Sequence, residues 1–326
     1  MKHAAPPEEQ GAALLSVLLL VAIVAVLAAA SLEKLKLATH LAGNSSAIDQ
    51  ARAYAMSAET VSLYRIGDLL QRDTAKTTLE GNWANRDVNF PIDGGSASAR
   101  LTDGGNCFNL NGMVQKQSEN SYVVRPEAVT QFARLMALLE IPAADARRVS
   151  IATADWIDSD SVPQPGGAED ESYATATIPY RTGNTLMVDP SELRAVAGVT
   201  PALYTRVRPF LCALPMADMS QININTLLPA QAPLLAMMVP GLDSARAKAI
   251  IDARPAGGHS DLVKFWEQSD LRGTSDFSKQ QLGLRSRWFG LHMLIELTGA
   301  ELEENALIDA ALQPAKLVRR SYGEAT

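Results

Sequence analysis

The sequence predicts an α+β fold, in which a long N-terminal helix packs on an antiparallel sheet and a large all-α insertion interrupts that sheet. Three observations lead to this class. An uncharged apolar run opens the chain at residues 11–32, and helical periodicity continues beyond it. Strand-like runs separated by glycine turns occur both before residue 111 and after residue 285. The intervening residues 112–284 carry helical patterns that occur in two similar copies.

The apolar run is long enough to cross a membrane. No charged residue lies between Glu9 and Glu33, and a helix over residues 12–32 rises about 31 Å, which matches the hydrocarbon thickness of a bilayer. No proline interrupts the chain between Pro7 and Pro91. We therefore predict one continuous helix that begins with a transmembrane segment, residues 12–32, and extends from it into water.

The strands of the expected sheet come from two distant parts of the chain. Glycine turns at residues 81–82, 93–95 and 103–105 separate the short runs 88–90 and 98–102, and residues 288–297 form an apolar run suited to a strand. Packing of the long helix on these strands gives a two-layer unit. This unit comprises residues 33–111 and 285–326, and the insertion occupies residues 112–284.

Two segments of the insertion resemble each other. Phe-Asn-Leu-Asn at residues 108–111 precedes two helical patterns within residues 126–157, and Ile-Asn-Ile-Asn at residues 222–225 precedes two more within residues 234–254. We interpret them as two copies of a helix-hairpin-helix-like unit. The asparagines are expected to be structural, because their amides can bond to nearby backbone or cap the next helix.

The second unit is similar to helix-hairpin-helix modules that bind DNA, which gives an alternative function: a membrane-anchored DNA-binding or DNA-uptake protein. Such modules place hairpin amides and helix N-termini against phosphates. Here Gly241 is present, but Asp243 stands where the second glycine would be, and a carboxylate at that place repels a phosphate. Since the formal net charge is −7, we expect no nucleic-acid partner.

The chain has two cysteines, Cys107 and Cys212. Beyond the inner membrane they would meet oxidising conditions, and two cysteines allow only one pairing. We expect a disulfide between them, and two separate buried thiols are the alternative. The four histidines are scattered and no Cys-x-x-Cys pair occurs, so no zinc site is predicted.

An acidic segment at residues 155–171 carries six carboxylates beside Trp156 and two glycines. Oxygen ligands in a flexible loop suit Ca²⁺, and clustered like charges repel one another without a cation. We therefore predict a structural calcium site. Its predicted ligands are Asp155, Asp158, Asp160, Glu169 and Asp170. The alternatives are a solvated acidic loop and a hydrolase with paired carboxylates, for which no substrate cleft or partner residue is visible.

The N-terminus resembles those of type IV pilins and type II secretion pseudopilins. The resemblance implies a leader, residues 1–11, that a prepilin peptidase removes between Gly11 and Ala12, and a methylated new N-terminus. Ser16 is then the fifth mature residue, where these families usually carry glutamate. In this class that glutamate neutralises the buried amine of the preceding subunit, so a chain with Ser16 is expected to come first in the assembly. An uncleaved signal anchor is the alternative.

The mature chain as a whole resembles the K-type minor pseudopilins of the type II secretion system. The matching motifs lie at residues 50–55, 107–111, 155–160, 167–170 and 222–226. The resemblance implies a pilin-like unit with a helical insertion at the tip of a short periplasmic pseudopilus. The implied partners are I-type and J-type minor pseudopilins and the major pseudopilin.

The same resemblance implies a single-pass protein of the bacterial inner membrane with its soluble part in the periplasm. There it would initiate and cap the pseudopilus for export of folded proteins across the outer membrane. This role is mechanical, and we expect no enzymatic activity. The sequence contains no G-x-x-x-x-G-K-[ST] loop for a nucleotide.

Overall fold

The computed structural model describes residues 7–119, 121–175 and 177–323, with side chains from residue 12 onward. Its longest element is one unbroken helix, α1, from Pro7 to Arg72. Residues 1–6 of the expected leader lie outside the described residues. Within the described part, α1 is the single helix long and apolar enough to cross a membrane, and its apolar window is fully exposed. The predicted continuous helix is therefore confirmed.

The remaining elements are shorter. The helices are α2 (Pro126–Leu138), α3 (Ala143–Ile157), α4 (Asp170–Tyr173), α5 (Pro201–Val207), α6 (Ala232–Ala236), α7 (Ser244–Asp252), α8 (Leu262–Trp266) and α9 (Asp276–Gln280). The strands are β1 (Asp87–Ile92), β2 (Gly95–Asp103), β3 (Phe108–Asn109), β4 (Val114–Ser118), β5 (Ser121–Val124), β6 (Leu211–Cys212), β7 (Ile222–Asn223), β8 (Leu282–Gly283), β9 (Trp288–Leu297), β10 (Ala300–Asp309) and β11 (Lys316–Tyr322).

Five strands form one antiparallel sheet in the order β1–β2–β9–β10–β11. Strands β2 and β9 are direct neighbours although the whole insertion separates them in sequence, and Asp103 pairs with Phe289 where the insertion begins and ends. The two parts of the chain therefore build one sheet, as predicted. Strand β11 was not predicted, because its sequence has no regular apolar alternation and it forms an exposed edge.

Helix α1 packs across β9 and β10 and closes the first core. Alternate residues of β9 are buried, as a strand with one covered face requires. The helix contributes small and aliphatic side chains at three- and four-residue steps, so it can approach the sheet closely. The buried helix residues are Ala51, Ala55, Ile66 and Leu70, and they meet Phe289, Leu291, Met293 and Ile295 of β9.

The insertion has its own core, which is larger. Phe108 and Phe132 stack there with ring centroids 4.9 Å apart, and Leu110 lies in the same cluster. The structure therefore places the border of the insertion between Asp103 and Phe108, a few residues before 111. The insertion is mainly helical, and it also contains the β4–β5 hairpin and two short parallel pairs, β3 with β6 and β7 with β8. The sequence patterns did not indicate these strands.

The asparagines of the two similar segments are buried and bond to the backbone. Asn111 accepts from the Met187 backbone N–H at 2.7 Å and donates to the Met187 carbonyl at 2.8 Å. Asn225 likewise accepts from the His259 backbone N–H at 2.6 Å and donates to the His259 carbonyl at 2.9 Å. Each amide therefore replaces a missing strand partner, which stabilises a buried backbone that would otherwise lack hydrogen bonds. Their predicted structural role is confirmed.

The insertion joins the sheet through Asp103, the last residue of β2. Its carboxylate accepts the hydroxyl of Thr226 at 2.5 Å, the hydroxyl of Ser286, and the backbone N–H of Gly105 at 3.0 Å. Burial raises the pKa of Asp103, and the two hydroxyl hydrogen bonds oppose that shift. These donors come from the start, the middle and the end of the insertion, so one carboxylate joins three of its segments to the sheet.

Candidate metal site and assembly residues

The acidic segment begins in the last turn of α3 and ends at the start of α4. Asp155 and Trp156 belong to α3, and Asp158 is the first residue beyond it. The chain then makes a loop through Asp160 and returns at Glu169, which directly precedes α4. The two helix ends therefore hold the loop on the surface of the insertion core.

Three of the five predicted ligands come together. Asp158, Asp160 and Glu169 each offer a carboxylate oxygen, and these oxygens lie within 4.8 Å of one another. Asp158 is 1% exposed and Glu169 is 3% exposed, whereas Asp160 lies at the surface. Asp158 Oδ1 and Glu169 Oε1 are buried without a hydrogen-bond partner among the described residues. Buried carboxylate oxygens without partners are costly, unless a cation binds them.

The electrostatics of the cluster favour a bound cation. Burial raises the pKa of Asp158 to about 8, and the neighbouring charges of Asp160, Asp155 and Glu169 add to that shift. Burial also raises the pKa of Glu169, with a hydrogen bond from Thr182 acting against it. In the described part of the chain, one ion pair reaches this segment, between Arg181 and Asp170 at 3.8 Å. Its own side chains therefore leave the cluster without a countercharge.

The other two predicted ligands have other contacts. Asp155 accepts the backbone N–H groups of Gln164 and Ala168 at 3.2 and 2.8 Å, so its carboxylate fastens the loop to α3. A Cβ on Gly167 would lie 1.8 Å from Asp155 Oδ2, so this glycine is required for the close approach. Asp170 accepts the backbone N–H and hydroxyl of Thr182 at 3.0 and 2.8 Å. Asp155 and Asp170 shape the site rather than complete the three-carboxylate cluster.

Sequence reasoning missed Thr182, which contacts the site from a later loop. Its hydroxyl lies 3.0 Å from Glu169 Oε2 and 2.8 Å from Asp170 Oδ1. The neighbouring Asn184 donates its backbone N–H to the carbonyl of Trp156 at 3.0 Å. No local pattern links residues 182–184 to the acidic segment, because the contact depends on how two loops pack together.

Ser16 and the expected processing site lie on α1. Gly11 and Ala12 are consecutive helical residues within α1. The Ser16 hydroxyl donates to the Ala12 carbonyl at 2.9 Å. The side chain is therefore turned back onto its own helix, and this position offers no anion to a neighbouring subunit.

Cys107 and Cys212 form a disulfide, with Cα atoms 5.7 Å apart. Cys107 precedes β3 and Cys212 is the second residue of β6, so the bond lies beside the β3–β6 pair. This places a crosslink at the entry of the insertion.

A second buried acidic group lies between α1 and the sheet, and no sequence pattern indicated it. Arg320 of β11 donates to both carboxylate oxygens of Glu59, at 2.7 and 2.5 Å. Glu304 of β10 is fully buried beside them, with Arg320 Nε 3.5 Å from its Oε1. Burial and the adjacent Glu59 raise the pKa of Glu304 to about 7. Burial also acts to raise the pKa of Glu59, but hydrogen bonds from Arg320 and Glu304 outweigh it and leave it below the ordinary value.

The hairpin considered for DNA binding has its carboxylate where the sequence indicated. Asp243 caps α7 and accepts the backbone N–H of Arg246 at 2.8 Å. A carboxylate therefore occupies the helix N-terminus that a phosphate would use. This geometry gives the DNA alternative no support.

A membrane-length N-terminal helix packed on an antiparallel sheet, with an acidic cluster in a helical insertion, defines a subunit of the pilin class. Two sequence models, each described as "Type II secretion system (T2SS), protein K", match residues 106–216 and 222–285. The type II secretion system protein K of Pectobacterium carotovorum subsp. carotovorum is 35% identical over 327 residues, which cover 97% of each chain. That of Klebsiella pneumoniae is 35% identical over 322 residues, with the same coverage. The chain belongs to the type II secretion system protein K family.

A solved structure is similar as well. It is the crystal structure of the GspK-GspI-GspJ complex from the enterotoxigenic Escherichia coli type 2 secretion system, and it matches with a TM-score of 0.74 and 31% identity. The match covers 85% of this chain and 96% of the solved one. The predicted α+β architecture and the K-type family assignment are therefore confirmed, and the family is one of structural pseudopilins.

Proposed function

We propose that this chain is the tip subunit of the type II secretion pseudopilus, which it initiates and caps for export of folded proteins across the outer membrane. One observation carries the proposal: Ser16 stands at the fifth position after Gly11, and its hydroxyl bonds to its own helix at Ala12. A buried amine in hydrocarbon needs a partner, and only a carboxylate on the next subunit can supply a countercharge. This chain can accept such a carboxylate through the amine of Ala12 but cannot offer one.

The proposed arrangement assigns a place to each part of the molecule. After prepilin peptidase cleaves the leader, residues 12–32 anchor the chain in the inner membrane, and the sheet and insertion lie in the periplasm. The I-type and J-type minor pseudopilins bind it, as their solved relatives bind GspK in the similar complex. Major pseudopilins then add beneath this complex. The bulky insertion prevents addition above it.

The test is the position of the chain in the fibre. The full-length protein with an epitope tag is expressed in cells that assemble pseudopili, and its location is read by immunogold microscopy. We expect gold at one end of each fibre for the natural chain and for the Ser16→Ala control, because neither offers a carboxylate. Ser16→Glu should spread the label along the shaft. Label along the shaft for the natural chain would overturn the proposal.

We further propose that the acidic cluster binds a structural Ca²⁺. The support is the pair of buried, unpartnered oxygens on Asp158 and Glu169 together with Asp160 at their side. Calcium accepts six to eight oxygen ligands, so backbone carbonyls and water would complete the set. The ion supplies the countercharge that the segment lacks, and Asp155 keeps the loop closed around it.

Terbium binding tests the calcium proposal directly. Tb³⁺ replaces Ca²⁺ in oxygen sites, and Trp156, two residues before Asp158, can sensitise its luminescence. We expect luminescence on excitation of tryptophan that Ca²⁺ abolishes by competition. Asp158→Asn should abolish it, whereas the matched control Glu171→Gln, an exposed acid of the same segment, should retain it. Equal luminescence from both variants would contradict the assignment.

A further inference from the structure

On the sheet face that α1 packs against, no helix of the described residues covers strands β1 and β2. Helix α1 crosses β9 and β10, while β1 and β2 extend past it on one side. A groove of about 870 Å³ runs between α1 and these two strands. Its apolar walls are formed by Tyr54, Ala58, Val61 and Leu69 of α1, by Val88, Phe90 and Ile92 of β1, and by Trp83.

The groove has the width of a helix. Five strands spaced 4.7–4.9 Å apart make a sheet about 19 Å wide, and a helix with its side chains is about 10–12 Å in diameter. The sheet face therefore holds two helices side by side, and α1 fills one of these two places. From Tyr54 to Leu69, α1 lines the groove for about 22 Å, which is four turns of a helix.

The groove walls are ordered and apolar, although they are open to solvent. Trp83 donates its indole N–H to the Thr78 carbonyl at 2.7 Å and packs on Phe289 with ring centroids 5.5 Å apart. Val61 is 54% exposed and Val88 is 51% exposed, and they lie on opposite walls. An apolar surface of this kind on a rigid scaffold is typical of a site where a helix binds in a groove.

The rim of the groove carries unpaired positive charge. Arg72 pairs with Asp68 at 2.6 Å. Arg65, Arg86 and the acid Glu80 also line the groove. Among the described residues none of these three forms an ion pair, so one positive charge is in excess. A helix with a carboxylate beside its apolar stripe would complement this rim.

We propose that this groove receives the N-terminal helix of a second pilin-class subunit, with its apolar stripe against Val61 and Val88 and a carboxylate toward the Arg65–Arg86 rim. The proposal rests on the proposed function, which supplies such a subunit in the same membrane. Helix α1 is continuous from the bilayer to the groove, so a helix rising beside it at the usual 8–10 Å spacing enters the groove directly. The membrane bundle and the groove then form one uninterrupted helix–helix interface.

The test uses the full-length chain in detergent with full-length I-type and J-type subunits of the same secretion system. Val61→Gln combined with Val88→Gln removes the apolar contact without adding charge. The matched control is Met56→Gln combined with Val318→Gln, since these side chains are 51% and 43% exposed but lie outside the groove. We expect the groove variant to recover at least ten-fold less partner than the natural chain, and the control to recover the same amount. Arg65→Glu should reduce partner recovery by a smaller factor. At high salt this variant and the natural chain should recover similar amounts, because salt screens exposed charges.

A photo-crosslinking residue placed at position 88 then identifies the occupant. We expect crosslinks to the N-terminal helix of one partner from position 88 and none from position 318. Undiminished partner recovery by the groove variant would overturn the proposal that the groove binds a helix, while the tip assignment would still stand. Crosslinking to a second copy of this chain would also overturn it. Failure of the natural chain to bind either partner would overturn the proposed function and the groove together.

Discussion

The two parts of the molecule each bury a pair of acids, and they neutralise them in different ways. In the pilin-like unit, Glu59 and Glu304 share Arg320, which comes from the neighbouring strand β11. In the insertion, Asp158 and Glu169 meet a third acid, Asp160, and no basic side chain of the described chain. The first cluster therefore has its countercharge within the fold, although the Glu304 oxygens have no hydrogen-bond partner among the described residues. On our proposal, the second cluster takes its countercharge from a bound calcium ion.

This difference teaches how each part is stabilised. The pilin-like unit is held by its helix–sheet core and by its own guanidinium. The insertion has a larger core, but its acidic loop and its entry depend on additions made after synthesis, namely oxidation of Cys107 and Cys212 and, on our proposal, calcium. Both additions are available outside the cytoplasm. The insertion should therefore respond to reductant and chelator, and the pilin-like unit should not.

The largest expected effect is loss of the disulfide. It closes a loop with a sequence separation of 105 residues, for which the loop-entropy estimate gives about 5 kcal/mol of unfolding free energy. Cys107→Ser combined with Cys212→Ser should lower the free energy of unfolding of the full-length protein in detergent by about that amount, and its denaturation midpoint should fall accordingly. Reductant should bring the natural chain to the same midpoint and leave the variant unchanged. A difference below about 1 kcal/mol would show that the insertion does not depend on this bond.

Removal of calcium should have the next largest effect. A ligand at a hundred times its Kd stabilises the folded state by about 2.7 kcal/mol. Thermal melting of the full-length chain in Ca²⁺ and in chelator should therefore differ by several degrees. Asp158→Asn should melt at the same temperature in both. An unchanged midpoint for the natural chain would remove the contrast between the two acidic clusters.

Loss of the guanidinium in the pilin-like unit should have a smaller effect. Arg320→Met leaves the buried Glu59 carboxylate without its partner, and since the Arg320 side chain is 33% exposed, we expect about 2 kcal/mol rather than the value for a fully buried pair. Denaturant unfolding measures the change. Arg100→Met is the matched control, because the Arg100–Asp87 pair on the same sheet is exposed and should contribute little. Equal effects from the two variants would contradict the role of burial.

The smallest effect is a change in pH dependence. The pKa of Glu304 is raised to about 7 from 4.5, so the unfolded chain releases this proton at lower pH than the folded chain does. The stabilising contribution of the proton is complete below about pH 4.5 and is lost as the pH rises through 7. Glu304→Gln cannot titrate, so its stability should fall less than that of the natural chain between pH 5 and 8. The lowered pKa of Glu59 acts below this range. Parallel pH profiles would show that Glu304 is already ionised at pH 5.

The main elements of the fold could be predicted because their signals are local. Helix α1 follows from an uncharged run without proline, and β1, β2 and β9 follow from short apolar runs between glycine turns. The asparagine pairs indicated the duplication, because an apolar residue followed by asparagine occurs twice in succession before each of two similar helical patterns. In each case the period of the side chains along a few turns or residues carries the information.

The rest depends on packing between distant residues. Glu59, Glu304 and Arg320 lie far apart in sequence and meet only because β10 and β11 take one particular register beneath α1. The acidic segment was found from composition, but composition does not distinguish a possible metal ligand such as Asp158 from Asp155, which holds the loop closed. The contact of Thr182 with that loop has no local sequence signal.

The pairing of Asp103 with Phe289 closes the sheet at the place where the insertion begins and ends. Paired Cα atoms in an antiparallel ladder are about 5 Å apart, so the chain leaves the sheet and returns to it at neighbouring positions. A guest domain whose termini lie close together could be grafted there in place of the natural one while the strands keep their register. The insertion can in this sense be exchanged for another domain without rebuilding the five-stranded sheet.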